Sequence, residues 1–478
     1  MRKYYIKTFG CEMNQADSEK INMILLQSWL SRTSDYKTAD LVILNTCSVR
    51  QKWEDRVFWL LKEVENLNEK NEKKIIVGIT GCMVRKTWMN KKYLLGEIER
   101  NKAKKIEYLK DTSGIFNNDD KLFPRMPNLD FTLRIEEVKY LNFILTHIYG
   151  EKIGSDDKFD DYLKQAQLRE NKFSASVIVQ TGCDNFCTFC IVPYTRWREI
   201  SREHDEIIEE IKKLAQNGVK EISLVGQNVN SYGKQKNSKL WSEEKMAWNA
   251  GIGVSPFREL LDHIDMIDGI DRIRFTSSNP HDMTQDILDA HFELDATCNY
   301  LHLALQSGND EILKKMNRRH TYPDFKKMVE YLRRKDPLFS ISTDIIVWYS
   351  GETDEMFQDT VRAIEELEID FVYIARYSVR NGTIASKIYP DNVPDSVKAQ
   401  RWHILNQVLE KNVEKRWQLM LGREEEILVS WEKDEYFFGR TRNFKEVFFE
   451  KRDGVLIWDI VKVKITGIDA WVLTGKIV

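Results

Sequence analysis

Three cysteines stand within eight residues, spaced Cys183-x3-Cys187-x2-Cys190 in the segment GCDNFCTFC (182–190). Thiolates at that spacing can hold three corners of an iron–sulfur cube and leave the fourth iron without a protein ligand. An open iron is where chemistry can happen, so the spacing points to a cofactor-driven enzyme. The alternative is zinc, which asks for four ligands closing a tetrahedron. Three further cysteines are far apart in sequence but alike in setting. Cys11 follows the apolar run YYIKTFG, Cys47 follows LVILNT and Cys82 follows IIVGITG. Three thiolates from three strand tips could converge on a second cube, again one ligand short, although buried cysteines after strands are also common.

The elements that must position these groups are legible as periodicity. The three runs before Cys11, Cys47 and Cys82 read as strands, and amphipathic segments at 18–30 and 53–67 lie between them. This alternation predicts an α/β, doubly wound N-terminal domain over 1–152, with its strand ends on the edge where ligands bind. Region 172–410 reads as six βα units, with strands at 174–180, 221–227, 272–278, 301–306, 342–348 and 371–377. Six units suggest a partial (βα)6 barrel, with Cys183 in the loop after the first strand, at the barrel mouth. Gln227, Asn228, Ser277, Ser278, Gln306 and Ser307 sit at later strand ends and are expected to face that cavity. The stretch 234–253 reads as a surface loop beside it. A helix within 390–420 leads to residues 421–478, where short strands without helices predict a small all-β barrel.

Bulk properties narrow the class. The 478-residue chain carries a net charge of −3, so it does not grip nucleic acid by its global field, and any RNA contact must be local. No apolar run reaches membrane-spanning length. Seven cysteines, an odd number with three packed too tightly for a disulfide framework, suit a reducing compartment, and a cytoplasmic enzyme is expected.

The cysteine motif, with aromatic Phe189 before its third member, resembles the signature of the radical S-adenosylmethionine (SAM) superfamily. With TFGCEMNQADSE (8–19), LNTCSVR (44–50), GITGCMVRK (78–86), LVGQNVNSYG (224–233), TSSNPHD (276–282), LHLALQSGND (301–310) and LKKMNRRHT (313–321), nearly the whole chain resembles the methylthiotransferase family. The resemblance implies two 4Fe–4S clusters, one on Cys11, Cys47 and Cys82 and one on Cys183, Cys187 and Cys190. It further implies that one SAM methylates a sulfur at the first cluster while a second SAM is cleaved at the other. Gln227, Asn228, Ser277, Ser278, Gln306 and Ser307 would help to hold SAM and substrate. No catalytic residue beyond the cluster ligands is implied.

The C-terminal part resembles the TRAM domain, an RNA-binding module, most clearly in GRTRNFKEV (439–447). Its balance of ten Lys/Arg against eleven Asp/Glu makes any footprint local, with Arg440, Arg442 and Lys445 as the candidate patch. Of the family's branches, CIVPYTR (190–196), LNTCSVR and GQNVNSYG look most like the one acting on isopentenyladenosine beside the tRNA anticodon. The other branches act on threonylcarbamoyladenosine in tRNA and on an aspartate of a ribosomal protein. Implied partners are the tRNA anticodon stem-loop, a sulfur donor and an electron donor such as a flavodoxin or ferredoxin, with no membrane. A non-catalytic RNA-binding scaffold that keeps the clusters is the competing class.

One departure stands out. Trp197, Trp348, Trp431 and Trp458 occupy positions where the family pattern has glycine. Tryptophan does not adopt glycine's positive-φ turns without strain. The chain has 22 Gly and 13 Trp, together close to the about 33 glycines that average usage predicts for this length. Some tryptophans are therefore read as misread glycine codons, with genuine drift to aromatics as the alternative. Ser350 and Asn381 replace family prolines, a milder change. Cys298, in LDATCNY, reads as a packed thiol.

Overall fold

The computed structural model describes residues 1–48, 51–70, 74–85, 88–89, 126, 128–154, 162–165, 167–169, 171–234, 254–391, 393–469 and 471–478. All but Lys234 of the expected surface loop 234–253 lies outside these residues. The described chain divides into two compact units. The first comprises Met1–Glu170, Thr181–Glu199 and Arg380–Lys387; the second comprises Asn171–Gln180, Ile200–Val379 and Ile388–Val478.

In the first unit a six-stranded sheet is built from β1 (Lys3–Thr8), β2 (Ser31–Arg32), β3 (Leu41–Thr46), β4 (Ile76–Gly81), β5 (Trp88–Met89) and β6 (Phe131–Thr132). Its order is β2-β1-β3-β4-β6-β5, parallel except for β5. Helix α1 (Glu12–Gln27) follows β1 and α2 (Gln51–Lys70) follows β3. Every residue of β3 and β4 is buried. Continuous runs such as LVILNT, without alternation, are what a parallel strand covered on both faces requires. The register pairs Thr8 with Asn45 and Thr46 with Gly81, so three adjacent strands end level with one another. That is the edge at which Cys11, Cys47 and Cys82 emerge.

The second unit contains the six parallel strands expected from the sequence: β7 (Ser174–Ile178), β8 (Glu221–Val225), β9 (Arg272–Phe275), β10 (Tyr300–His302), β11 (Ser340–Val347) and β12 (Phe371–Arg376). They pair as β9-β8-β7 and β10-β11-β12, and a parallel bridge from Ser278 to Leu303 joins the two sets into one arc. Amphipathic helices cover its outside, including α3 (His204–Gln216), α4 (Asp354–Glu366) and α5 (Asp395–Gln418). After α5 the chain closes a five-stranded barrel from β13 (Glu424–Lys433), β14 (Tyr436–Thr441), β15 (Glu446–Glu450), β16 (Ile460–Asp469) and β17 (Val472–Ile477), in the order β13-β14-β15-β17-β16.

The β-barrel is pinned to the arc by buried charge. The Asp370 carboxylate accepts from Lys445 Nζ at 2.9 Å, Arg416 Nε at 3.2 Å, Arg333 Nη2 at 3.0 Å and the Ile341 amide at 3.0 Å. Burial pushes this carboxyl up, but Lys445, Arg416 and Arg333 outweigh it and hold it far below the usual range. Asp370→Asn strands three cations in a dry site and is expected to cost about 3–5 kcal/mol in urea unfolding. Because the folded carboxyl is depressed, its contribution is full above about pH 4, the unfolded aspartate value, and fades as pH falls toward the folded one. A pH-independent loss in the variant would contradict this assignment.

Candidate functional site

All six motif cysteines lie in the first unit. Cys47 and Cys82 directly follow the paired residues Thr46 and Gly81, and the Cys82 amide donates to the Thr46 carbonyl at 2.8 Å. Cys11 is brought to them by a sharp turn at Gly10, whose φ is +129°. A Cβ there would sit 2.6 Å from Cys47 Cβ and 3.3 Å from its sulfur, so only glycine lets the two cysteine segments approach. Asn14 clasps the turn: its Nδ2 donates to the Phe9 and Thr46 carbonyls at 3.1 and 2.8 Å, and the Cys11 thiol donates to its Oδ1 at 3.5 Å.

The second trio is held by a loop that doubles back on itself. Gly182 (φ +79°) lies so close to the returning strand that a Cβ would sit 2.0 Å from the Arg198 carbonyl oxygen. The Cys183 amide donates to the Trp197 carbonyl at 3.3 Å, and the Cys190 amide to the Cys187 carbonyl at 2.9 Å. Asn185 Nδ2 lies 3.6 Å from Cys183 Sγ. Burial pushes the Cys183 thiol up to about 12 and raises Cys190 too, with Cys187 and Cys183 adding to the second effect. The Cys82 sulfur is felt at both ends, raising Cys11 after desolvation has done so and contributing last at Cys190.

Arginines surround them. Arg196 is buried against Asp17, whose carboxylate also accepts from the Tyr162 hydroxyl. Burial works against the Arg196 cation, but Asp17 and then Cys82 outweigh it. Arg380 Nη1 donates to Glu54 at 2.7 Å, a carboxylate that also accepts from Ser48 Oγ at 2.8 Å. Desolvation lowers Arg380, while Glu54 and Cys47 favour its charge. Buried cations beside thiolates suit an anionic iron–sulfur cluster, whose potential depends on such charge. The quoted motifs contained Asp17 and Arg196 but gave no sign that they pair. Arg380 is too distant in sequence from Cys47 for any spacing argument to find it.

The expected SAM and substrate residues divide. Asn228 is buried, donates to Asp282 at 2.7 Å and has no partner for its Oδ1 among the described residues; Ser278 is buried with its Oγ likewise unpartnered among them. Two orphaned polar atoms after β8 and β9 fit a polar ligand at that edge. Gln227 follows β8 half-buried and Ser277 is exposed. Gln306 bridges to β11 through its backbone. Ser307 is buried, its hydroxyl 3.3 Å from Thr360 Oγ1 of α4 and accepting from the Asn309 amide at 3.2 Å.

The residues of the candidate RNA patch are placed differently from one another. Lys445 is buried with its ammonium on Ser340 and Asp370, so its charge stays inside the protein. Arg442 donates to the carbonyls of Asp271, Asp295 and Thr297. Arg440 is half exposed, lies 4.7 Å over the Phe444 ring and pairs with Glu446 at 2.9 Å, and Arg442 is likewise half exposed, so these two and not Lys445 offer part of their charge outward. Cys298 is a buried thiol, as its setting suggested.

Among the described residues no group of three or more His, Cys, Asp or Glu side chains could hold a single metal ion. Each iron of a cube takes one thiolate, so its cysteines surround it rather than meet at a point. The donor set, three thiolates per site with no fourth ligand, fits a cube better than zinc.

Residues 177–364 match the Radical SAM superfamily, and residues 3–98 match the Uncharacterized protein family UPF0004. A tRNA-2-methylthio-N(6)-dimethylallyladenosine synthase of Clostridium botulinum (strain Okra / Type B1) is 36% identical over 99% of this chain and 96% of its own. One of Protochlamydia amoebophila (strain UWE25) is 35% identical over 100% and 96%. The chain belongs to this family. Its radical SAM membership implies a 4Fe–4S cluster and SAM. Among solved structures, the radical SAM methyltransferase TsrM of Kitasatospora setae is 12% identical with a TM-score of 0.48, covering 80% of this chain and 74% of that one. No described helix is long and apolar enough to cross a membrane.

Proposed function

We propose that this chain is a radical SAM methylthiotransferase that adds a methylthio group at position two of N6-dimethylallyladenosine in tRNA. The observation that carries the reading is the placement of two cysteine trios, one on three adjacent strand ends and one in a single loop, within one unit. Cys183, Cys187 and Cys190 would hold the cluster that works with SAM, and Cys11, Cys47 and Cys82 a second one. Bound there, the clusters supply the electron for SAM cleavage and a site for the sulfur, which no protein acid or base can replace at an aromatic C–H bond.

The protein's own share is to shape and charge the site. Gly10 and Asn14 set the Cys11 turn beside Cys47. Arg196 and Arg380 place positive charge near the thiolates, each oriented by a buried carboxylate. Asn228 Oδ1 and Ser278 Oγ offer hydrogen bonds at the strand-end edge where SAM is expected. The target adenine must leave its stack to be modified, and Arg440, half exposed on the β-barrel, supplies a cation for RNA. The three parts of the working enzyme are residues 1–152, 172–410 and 421–478, with a sulfur donor and a flavodoxin or ferredoxin as external partners.

The test is mass spectrometry of tRNA nucleosides from a host that lacks this modification and expresses the chain. The expected product is 2-methylthio-N6-dimethylallyladenosine. A methylthio group appearing only on threonylcarbamoyladenosine, or none in a chain shown to carry its clusters, would overturn the reading.

A further inference from the structure

Eleven non-glycine residues among those described have positive φ, and four of them are tryptophans: Trp29 (64°), Trp197 (66°), Trp348 (65°) and Trp458 (78°). Only Phe186 and Phe444 represent the chain's 22 phenylalanines in that set, and no described tyrosine joins them although the chain has 18. Such φ values are uncommon for any L-residue and exceptional for a bulky one. An ordinary aromatic preference would have drawn phenylalanine and tyrosine in proportion to their numbers, yet 22 phenylalanines give two such residues and 13 tryptophans give four.

The local motifs are those that glycine serves. Helix α1 ends with the Trp29 amide donating to Leu26 and the Leu30 amide to Leu25, both at 3.1 Å. That is the paired closure in which the left-handed residue after the cap is normally glycine. Helix α3 supplies an internal comparison: the Gly218 amide donates to Ala215 at 2.9 Å and Val219 to Leu214 at 3.0 Å, with Gly218 at φ +88°. The hydrogen-bond pattern is the same, and only the residue differs. Trp458 is the third residue of a turn closed by the Asp459 amide on the Leu456 carbonyl at 3.1 Å. Positive φ at that position defines a type II turn and calls for glycine.

Trp348 adds crowding. The Trp348 ring lies with its centroid 3.2 Å from the Arg401 guanidinium carbon, closer than ordinary carbon contact, and Arg401 Nε is buried without a hydrogen-bond partner. Trp197 lies in the turn whose carbonyl receives the Cys183 amide, so its identity bears directly on the cysteine loop. By contrast, Trp402 and Trp417 lie within helix α5 at ordinary φ; an indole hydrogen bond does not separate the two groups, since Trp402 donates to the Ile374 carbonyl at 3.2 Å and Trp348 to the Val397 carbonyl at 2.9 Å. Trp431 also has ordinary φ and stacks on Phe438 at 3.9 Å, so the backbone gives no reason for glycine there.

We propose that the protein made in its own cells carries glycine at positions 29, 197, 348 and 458, because the codon written here as tryptophan at those sites is UGA read as glycine. Tryptophan remains at 402 and 417. This inference is independent of the proposed substrate. Peptide mass spectrometry of the protein purified from its native cells tests it, and glycine at all four positions is the expected result. Tryptophan in the native peptide at any of the four overturns it. The coding sequence gives a second reading: UGA is expected at all four positions and UGG at 402 and 417, and UGG throughout overturns it.

Discussion

Replacing Cys187 by alanine is expected to lower reductant-dependent release of 5′-deoxyadenosine from SAM by more than about 100-fold, because it removes a direct ligand where even outer partners cost 10–100-fold. Cys187 is half-buried and follows the positive-φ residue Phe186, in a loop that is also held by backbone bonds, by Asp184 pairing with Arg198 at 3.0 Å and by Arg198 5.4 Å over the Phe186 ring. Loss of its sulfur should therefore leave the fold intact while leaving a cluster with two thiolates instead of three. Cys298→Ala is the control, since it removes a buried thiol of the second unit that serves only packing. The measurement is anaerobic reconstitution with dithionite, followed by chromatography of SAM-derived products. Undiminished deoxyadenosine release by Cys187→Ala would mean that this trio does not serve SAM cleavage.

Much of this architecture was readable before any coordinates, and the reasons are physical. LVILNT and IIVGITG have no alternation because both faces of β3 and β4 are covered, so their strand character and their cysteines' exit were visible together. The six strands of the arc were equally plain, each a short apolar run followed by an amphipathic helix. What the sequence hid were the long-range polar choices. GRTRNFKEV carries three basic residues and one acidic one, yet Lys445 turns inward because Asp370, 75 residues away, needs a partner in a buried site. Nor does the sequence show that the Ser307 hydroxyl lies beside Thr360 of α4. Arg380 and Glu54 are 326 residues apart, and only folding brings their charges beside Cys47.

The tryptophan pattern illustrates both sides. Comparison with the family pattern pointed to Trp197, Trp348 and Trp458, and φ agrees at all three. It also pointed to Trp431, where a β-bulge between Val429 and Trp431 is formed at ordinary φ. Trp29 escaped notice because a helix end is not marked by any motif of the family. Its backbone hydrogen bonds, not its neighbours in sequence, reveal it.

Cys47→Ala should separate the two trios. Alanine keeps the Cβ that packs under Gly10, so the turn at Cys11 and the pairing of β3 with β4 are preserved. The lost atom is the sulfur alone, at the centre of three adjacent strand ends. Reconstituted iron is expected to fall from about eight to about four per chain, as one cube of two would predict. Release of 5′-deoxyadenosine should persist, because Cys183, Cys187 and Cys190 keep their loop. Methylthiolation of tRNA should fall by more than about 100-fold, on the same scale as loss of any direct ligand. Full thiolation by Cys47→Ala would remove the second trio from the chemistry. Loss of SAM cleavage together with iron would show instead that the six cysteines act as one assembly.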